Sequence, residues 1–216
     1  YRSLVFAAGV DIQVKGYGME FDYRCFIFII TLAAVINGLG LVRLLSAFAD
    51  YLRHQQRIEV ASYWVFALWV LCQFLLHIVL WWSLWNLRLV EAFSFGMYLY
   101  LLTGPIILYL GTSLLLPDLD EGRTDLRIHY FLVRPVFFTT MGLFWLWGIF
   151  SWPVIKGAFA PSAPILAAYL GIAVILRLTD NPRVHAILVL VVWLLLIVFI
   201  AMFGMRLGGL SELGTH

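Results

Sequence analysis

The chain has 216 residues, of which 63% are hydrophobic and 12% charged, and its formal net charge is +2. That balance leaves too little polar surface to cover a water-soluble domain of this length, and so small an excess of charge argues against nucleic-acid binding. Cys25 and Cys72 have neither CxxC nor histidine-paired spacing, so they supply no disulfide framework and no zinc site.

The first two dozen residues stand apart. Asp11, Lys15, Glu20 and Asp22 break up a stretch that contains several glycines and no apolar run long enough for the core of a signal peptide. Residues 1–24 therefore read as an extramembrane segment. Met19, followed by Glu20-Phe21-Asp22, reads as an alternative start that would make the residues before it dispensable.

Six apolar runs follow. About 20 helical residues rising about 1.5 Å each match a hydrocarbon core of roughly 30 Å, so each run is read as a spanning helix. They cover Phe26 to Val42 (continuing past Arg43 toward Phe48), Val60 to Leu87, Ala92 to Leu116, Val136 to Ile155, Ala158 to Leu176 and Val184 to Met205. The fifth is the weakest, because Pro161 and Pro164 shorten its apolar body. The runs lack the alternation that a membrane barrel requires. The expected fold is therefore all-α: a polytopic transmembrane bundle of six spans over residues 25–207, followed by a tail at 208–216.

Six spans place Arg43, Arg53, Arg57, Arg123, Arg127, Arg134, Arg177 and Arg183 on one face, against Arg2, Lys15, Arg24, Arg88, Lys156 and Arg206 on the other. Positive residues favour the cytoplasmic side, which puts both termini outside. Trp81, Trp82, Trp85, Trp145, Trp147 and Trp152 fall near the outer ends of the second and fourth spans, where indoles prefer the headgroup boundary.

Polar residues inside the spans need partners, because lipid offers none. Gln73, His77 and Trp81 recur every four residues on one face of the second helix. Asn37 sits mid-depth in the first helix, and Thr103 with Gly104-Pro105 sits at a similar depth in the third. Asn37, Gln73, His77, Trp81, Thr103 and Pro105 together form a candidate midplane ligand site, with a kink at Pro105 freeing the Leu101 carbonyl. The plainer reading is hydrogen bonding across the bundle, with Ala34 and Gly38 as a close-packing pair. For His77 the expected partners are Asn37, Thr103 or a freed carbonyl. His54, His129 and His185 are expected at the cytoplasmic surface, roughly 15 Å or more from His77, which argues against a bis-histidine haem. The spans hold no lysine for a retinal Schiff base, and no cofactor or metal is expected.

The loop from Pro117 to Pro135 changes sign along its length. Asp118, Asp120, Glu121 and Asp125 lack the ligand spacing of a calcium loop. Beyond them, Leu126 to Val133 reads as a short interfacial amphipathic helix in the third loop, with Arg127, His129, Tyr130 and Arg134 as a candidate lipid- or anion-binding set.

Trp81-Trp82, Gly104-Pro105, Pro117-Asp118, Asp125-Leu126-Arg127-Ile128-His129-Tyr130 and Arg134-Pro135 together resemble a group of small, uncharacterised polytopic inner-membrane proteins of bacteria. The resemblance covers the chain from Met19 onward, implies a multi-pass inner-membrane bundle and brings no activity with it.

Three functional readings follow. The first is a non-enzymatic subunit or scaffold that packs against membrane lipids and against a protein partner or further copies of itself. The second is a small channel or transporter using the midplane polar site, although helices four to six show no interruptions to pair with those of helices one to three. The third is a lipid-acting membrane enzyme using His129 with Asp125 or Asp118, unaccompanied by a Ser or Cys nucleophile motif or an HExxH pair.

Overall fold

The computed structural model describes the backbone of residues 2–54, 60–90, 93–117 and 124–204. Six helices account for most of it: α1 (Arg2–His54), α2 (Trp64–Leu84, continued by a 3-10 turn Trp85–Leu89), α3 (Phe95–Leu115), α4 (Leu126–Lys156), α5 (Ala163–Leu178) and α6 (Pro182–Phe199, ending in a π turn Ile200–Gly204). Two-residue strands β1 (Val60–Ala61) and β2 (Thr124–Asp125) pair in parallel, tying the chain ahead of α2 to the chain ahead of α4. The tail at 208–216 and the acidic residues Asp118, Asp120 and Glu121 lie outside the described residues.

Among the described residues, five helices are long and apolar enough to cross a membrane, α1 doing so over Phe26–Arg53. The fifth of the six expected spans falls short. α5 has 16 residues and rises about 24 Å, less than a hydrocarbon core of about 30 Å. It is bounded by Pro164 in its first turn and by the start of α6, where the Asn181 side chain accepts from the Arg183 N–H at 3.0 Å. At the other end of the chain, α1 runs as one helix from Arg2 through the expected boundary near residue 25.

The expected separate amphipathic helix is absent. Leu126 to Val133 forms the first two turns of α4, which continues through Pro135 to Lys156. Two features fuse the segments. Asp125 caps the start, its carboxylate accepting from the Arg127 and Ile128 N–H groups at 2.9 and 3.1 Å. Tyr130, Arg134, Phe138, Met141 and Trp145 then continue a single buried stripe down the helix. Gly157 stops α4 in the left-handed region (φ 73°), its N–H donating to the Pro153 carbonyl.

α2 is central, packed against α1, α3, α4 and α6. Trp69 meets Phe137 and Phe138 edge-on at 5.7 and 5.1 Å, and Trp145 stacks flat on Tyr169 of α5 at 4.3 Å. A smaller cluster of Phe26, Ala33, Leu84, Leu101 and Leu102 joins α1 to α3 and to the end of α2. Trp145 and Trp147 are therefore packing residues and not interface anchors. Trp147 lies against Gly104, donates to the Tyr100 carbonyl at 2.9 Å and accepts from the Tyr100 hydroxyl at 2.7 Å. Trp81, Trp82 and Trp85 do stay exposed, with Arg88 stacked 4.6 Å from the Trp85 ring centre.

Candidate functional site

Two polar clusters are buried in the bundle. The first joins α1, α2 and α3. Asn37 and His77 bond twice: the Asn37 Nδ2 donates to the His77 carbonyl at 3.1 Å, and its Oδ1 lies 2.8 Å from His77 Nδ1. An amide oxygen only accepts, so Nδ1 carries the ring proton. Nε2, 3.0 Å from the Thr112 hydroxyl, then accepts from it in the neutral ring. The ring also requires Gly40, since a Cβ there would run into the imidazole. One turn back along α2, Gln73 is fully buried, its Nε2 donating to the Met141 sulfur at 3.2 Å while its Oε1 has no partner among the described residues.

The structure thus unites Asn37, Gln73 and His77 but not the rest of the candidate midplane set. Trp81 is 50% exposed, and exposed Thr103 bonds locally to the Tyr100 carbonyl at 2.6 Å. Pro105 is buried inside an α3 that continues to Leu115. The α2–α3 register sets Thr112 level with His77, nine residues or about 13.5 Å along the helix from Thr103. The expected packing pair shifts as well: a Cβ on Gly38 would meet nothing within 4 Å, and the close approach is at Gly40.

The second cluster lies where α4 and α6 begin and α5 ends. Tyr130 is buried, and its hydroxyl is 2.7 Å from His185 Nδ1. His185 Nε2 donates to the Thr179 carbonyl at 2.9 Å, which leaves Nδ1 as the acceptor of the Tyr130 proton. Arg134 Nη1 donates to the same carbonyl at 2.6 Å and to the Asp180 carboxylate. Tyr63, just ahead of α2, packs at a tilt with its ring centre 5.5 Å from that of Tyr130, and its buried hydroxyl has no partner among the described residues. Burial raises the Tyr63 pKa above the ordinary phenol value, against a smaller opposing pull from Arg127, so the group stays an O–H.

These positions split the candidate interfacial set. Arg127 points outward, while His129 donates to the Leu115 carbonyl at 2.9 Å, linking α4 to the end of α3. Tyr130 and Arg134 face inward, because positions four apart share the buried stripe of α4. His185, expected at the surface, has no exposure at all. Among the described residues no three His, Cys, Asp or Glu side chains come together as a metal site would need. The sequence offers no direct signal for Thr112, Tyr63 or the Tyr130–His185 pair, all of which depend on contacts between distant helices.

Searches of protein-family models, curated proteins and solved structures find no match to this chain.

Proposed function

We propose that the chain is an integral protein of a bacterial inner membrane, embedded through its helix bundle, and that it serves as a non-enzymatic subunit or scaffold. Membrane embedding is supported by the outward faces of the outer helices. Phe28, Val35, Leu39 and Val42 on α1, and Ile187, Leu190, Leu194 and Ile197 on α6, are all exposed. Continuous apolar stripes of this length suit lipid tails or partner helices and would be costly in water. The arginines of the β1–β2 and α5–α6 end favour the cytoplasm, and the proposed contacts are lipids and a protein partner or further copies of the chain, not nucleic acid.

The observation that carries the non-enzymatic reading is the closure of the Asn37–His77–Thr112 cluster. Both ring nitrogens and both Asn37 side-chain polar atoms are bonded to protein groups, as in a device that fixes helix register. His129 and Asp125, the pair an enzyme would use, are likewise engaged with the Leu115 carbonyl and the α4 N-terminus. One observation favours a second reading, a small channel or transporter: the fully buried carbonyl of Gln73, which has no partner among the described residues. Native mass spectrometry of protein extracted with its surrounding lipid separates the two. A stoichiometric partner or a defined oligomer supports the scaffold. A lone chain whose introduced Gln73→Cys thiol reacts with small water-soluble reagents favours a transport pathway.

A further inference from the structure

The helices close around α2 on every side but one. Contacts run in sequence from α1 to α3, α4, α5 and α6, but among the described residues α1 and α6, which both pack on α2, do not touch each other. In the gap between them α2 shows one stripe, Trp64, Leu71, Ile78 and Trp82, each 40–50% exposed. Their spacing keeps all four within about 40° of one direction around the helix. One wall of this groove is α6. There Trp193 donates to the Leu68 carbonyl of α2, and the Val192 carbonyl accepts from Tyr169 of α5, so the flank that lies past Trp193, away from α5, borders the groove. That flank carries Arg183, Leu190 and Ile197, all exposed and each seven residues from the next. Tyr63 and His185 both contact Tyr130, so α2 and α6 begin at about one depth, with Trp64 and Arg183 both at the mouth. We propose that the groove holds an anionic phospholipid of the cytoplasmic leaflet, its acyl chains along Leu71 and Ile78 and its phosphate at Arg183 and the Trp64 indole N–H.

The stripe suits lipid better than a partner helix. Trp64 and Trp82 lie about 27 Å apart along α2, close to a hydrocarbon core of about 30 Å, and indoles settle at its two headgroup boundaries. A docking helix needs small residues where the backbones approach, whereas these four side chains are bulky and fit flexible acyl chains. Charge selects the headgroup. Among the described residues Arg183 makes no ion pair and the Trp64 indole no hydrogen bond, and both groups only donate. Asp180, three residues before Arg183, is bonded to Arg134. An anionic phosphate therefore meets a cation and a second donor at the mouth of an apolar groove. The site presupposes the membrane embedding proposed above, and it lies apart from the interfacial set of Arg127, His129, Tyr130 and Arg134.

A bimane fluorophore on Leu71→Cys, in the Cys25→Ser, Cys72→Ala background, reports which chains occupy the groove. The probes are phosphatidylcholine nanodiscs doped with the same small fraction of either phosphatidylglycerol or phosphatidylethanolamine, each with brominated, quenching acyl chains. Brominated phosphatidylglycerol should quench the label more strongly. Arg183→Gln should weaken that preference roughly fivefold, the scale of one arginine near an anionic surface, while Arg177→Gln, at an exposed position on α5, leaves it unchanged. A second label on Leu143→Cys, on the exposed face of α4, keeps the two levels apart. Quenching there by both lipids supports embedding, and quenching by neither overturns embedding and the site together. With position 143 quenched, the lipid site alone is overturned by equal quenching from the two lipids at position 71, by a preference that survives Arg183→Gln, or by a protein helix that shields position 71 from both.

Discussion

Asn37 and His77, forty residues apart, hold each other by two hydrogen bonds, one to the imidazole Nδ1 and one to the His77 backbone carbonyl. A backbone carbonyl inside a helix is normally satisfied by the N–H four residues on, so the Asn37 amide uses its second lone pair. The pair fixes both the rotation and the height of α1 on α2, and Thr112 adds α3 to the same point.

Replacement of His77 should separate bonding from chemistry. His77→Gln keeps a donor and an acceptor and should retain most of the thermal stability in detergent. His77→Leu should lose on the order of 1 kcal/mol, the scale of hydrogen bonds between membrane helices. Equal stability of the two variants, measured by reversible unfolding, would remove the cluster's structural role.

Gly40 provides a steric test within one helix. Gly40→Ala sets a methyl against the His77 ring and should cost about 1–3 kcal/mol, the usual penalty of overpacking. Gly38→Ala, with nothing within 4 Å of the new Cβ, should be neutral or slightly stabilising, because Ala is the better helix former. Unfolding midpoints of the two variants in the same detergent compare them directly, and equal losses would contradict the packing described.

Tyr130→Phe should be costly. It leaves His185 Nδ1 buried without its donor, a penalty of roughly 1–3 kcal/mol, whereas Asp180→Asn, at an exposed carboxylate, should change stability by less than about 1 kcal/mol. The same unfolding assay ranks them, and an Asp180→Asn loss as large as that of Tyr130→Phe would shift the weight of the cluster to the ion pair.

The helices were legible in the sequence because charge-free length follows directly from bilayer thickness, and the Pro161 and Pro164 positions marked the run that forms the short α5. Asn37 and His77 were legible for a related reason: a polar group deep in an apolar run needs a partner, and few existed. Thr112 was not, because the offset between α2 and α3 depends on packing such as that of Gly111 against Gln73, which no local pattern encodes. Tyr130 and Arg134 sit in a basic, aromatic stretch that reads as interfacial. The capping by Asp125, which starts α4 early, and the buried stripe that runs on through Phe138 turn that stretch into the inner face of a long helix. Trp145 and Trp147 looked like boundary residues by position along the chain, yet Tyr169 and Gly104 supply them with surfaces inside the bundle.

Single-cysteine labelling tests the central proposal, that the bundle crosses a membrane with its arginine-bearing end in the cytoplasm. Cysteines replace exposed Ser62 and Asp180 at that end, or exposed Ser94 and Ala158 at the other, in a background carrying Cys25→Ser and Cys72→Ala. Impermeant maleimide applied to intact spheroplasts should label positions 94 and 158, and should reach 62 and 180 only after permeabilisation. Labelling of all four positions from one side, or recovery of the protein in the soluble fraction, would contradict the account.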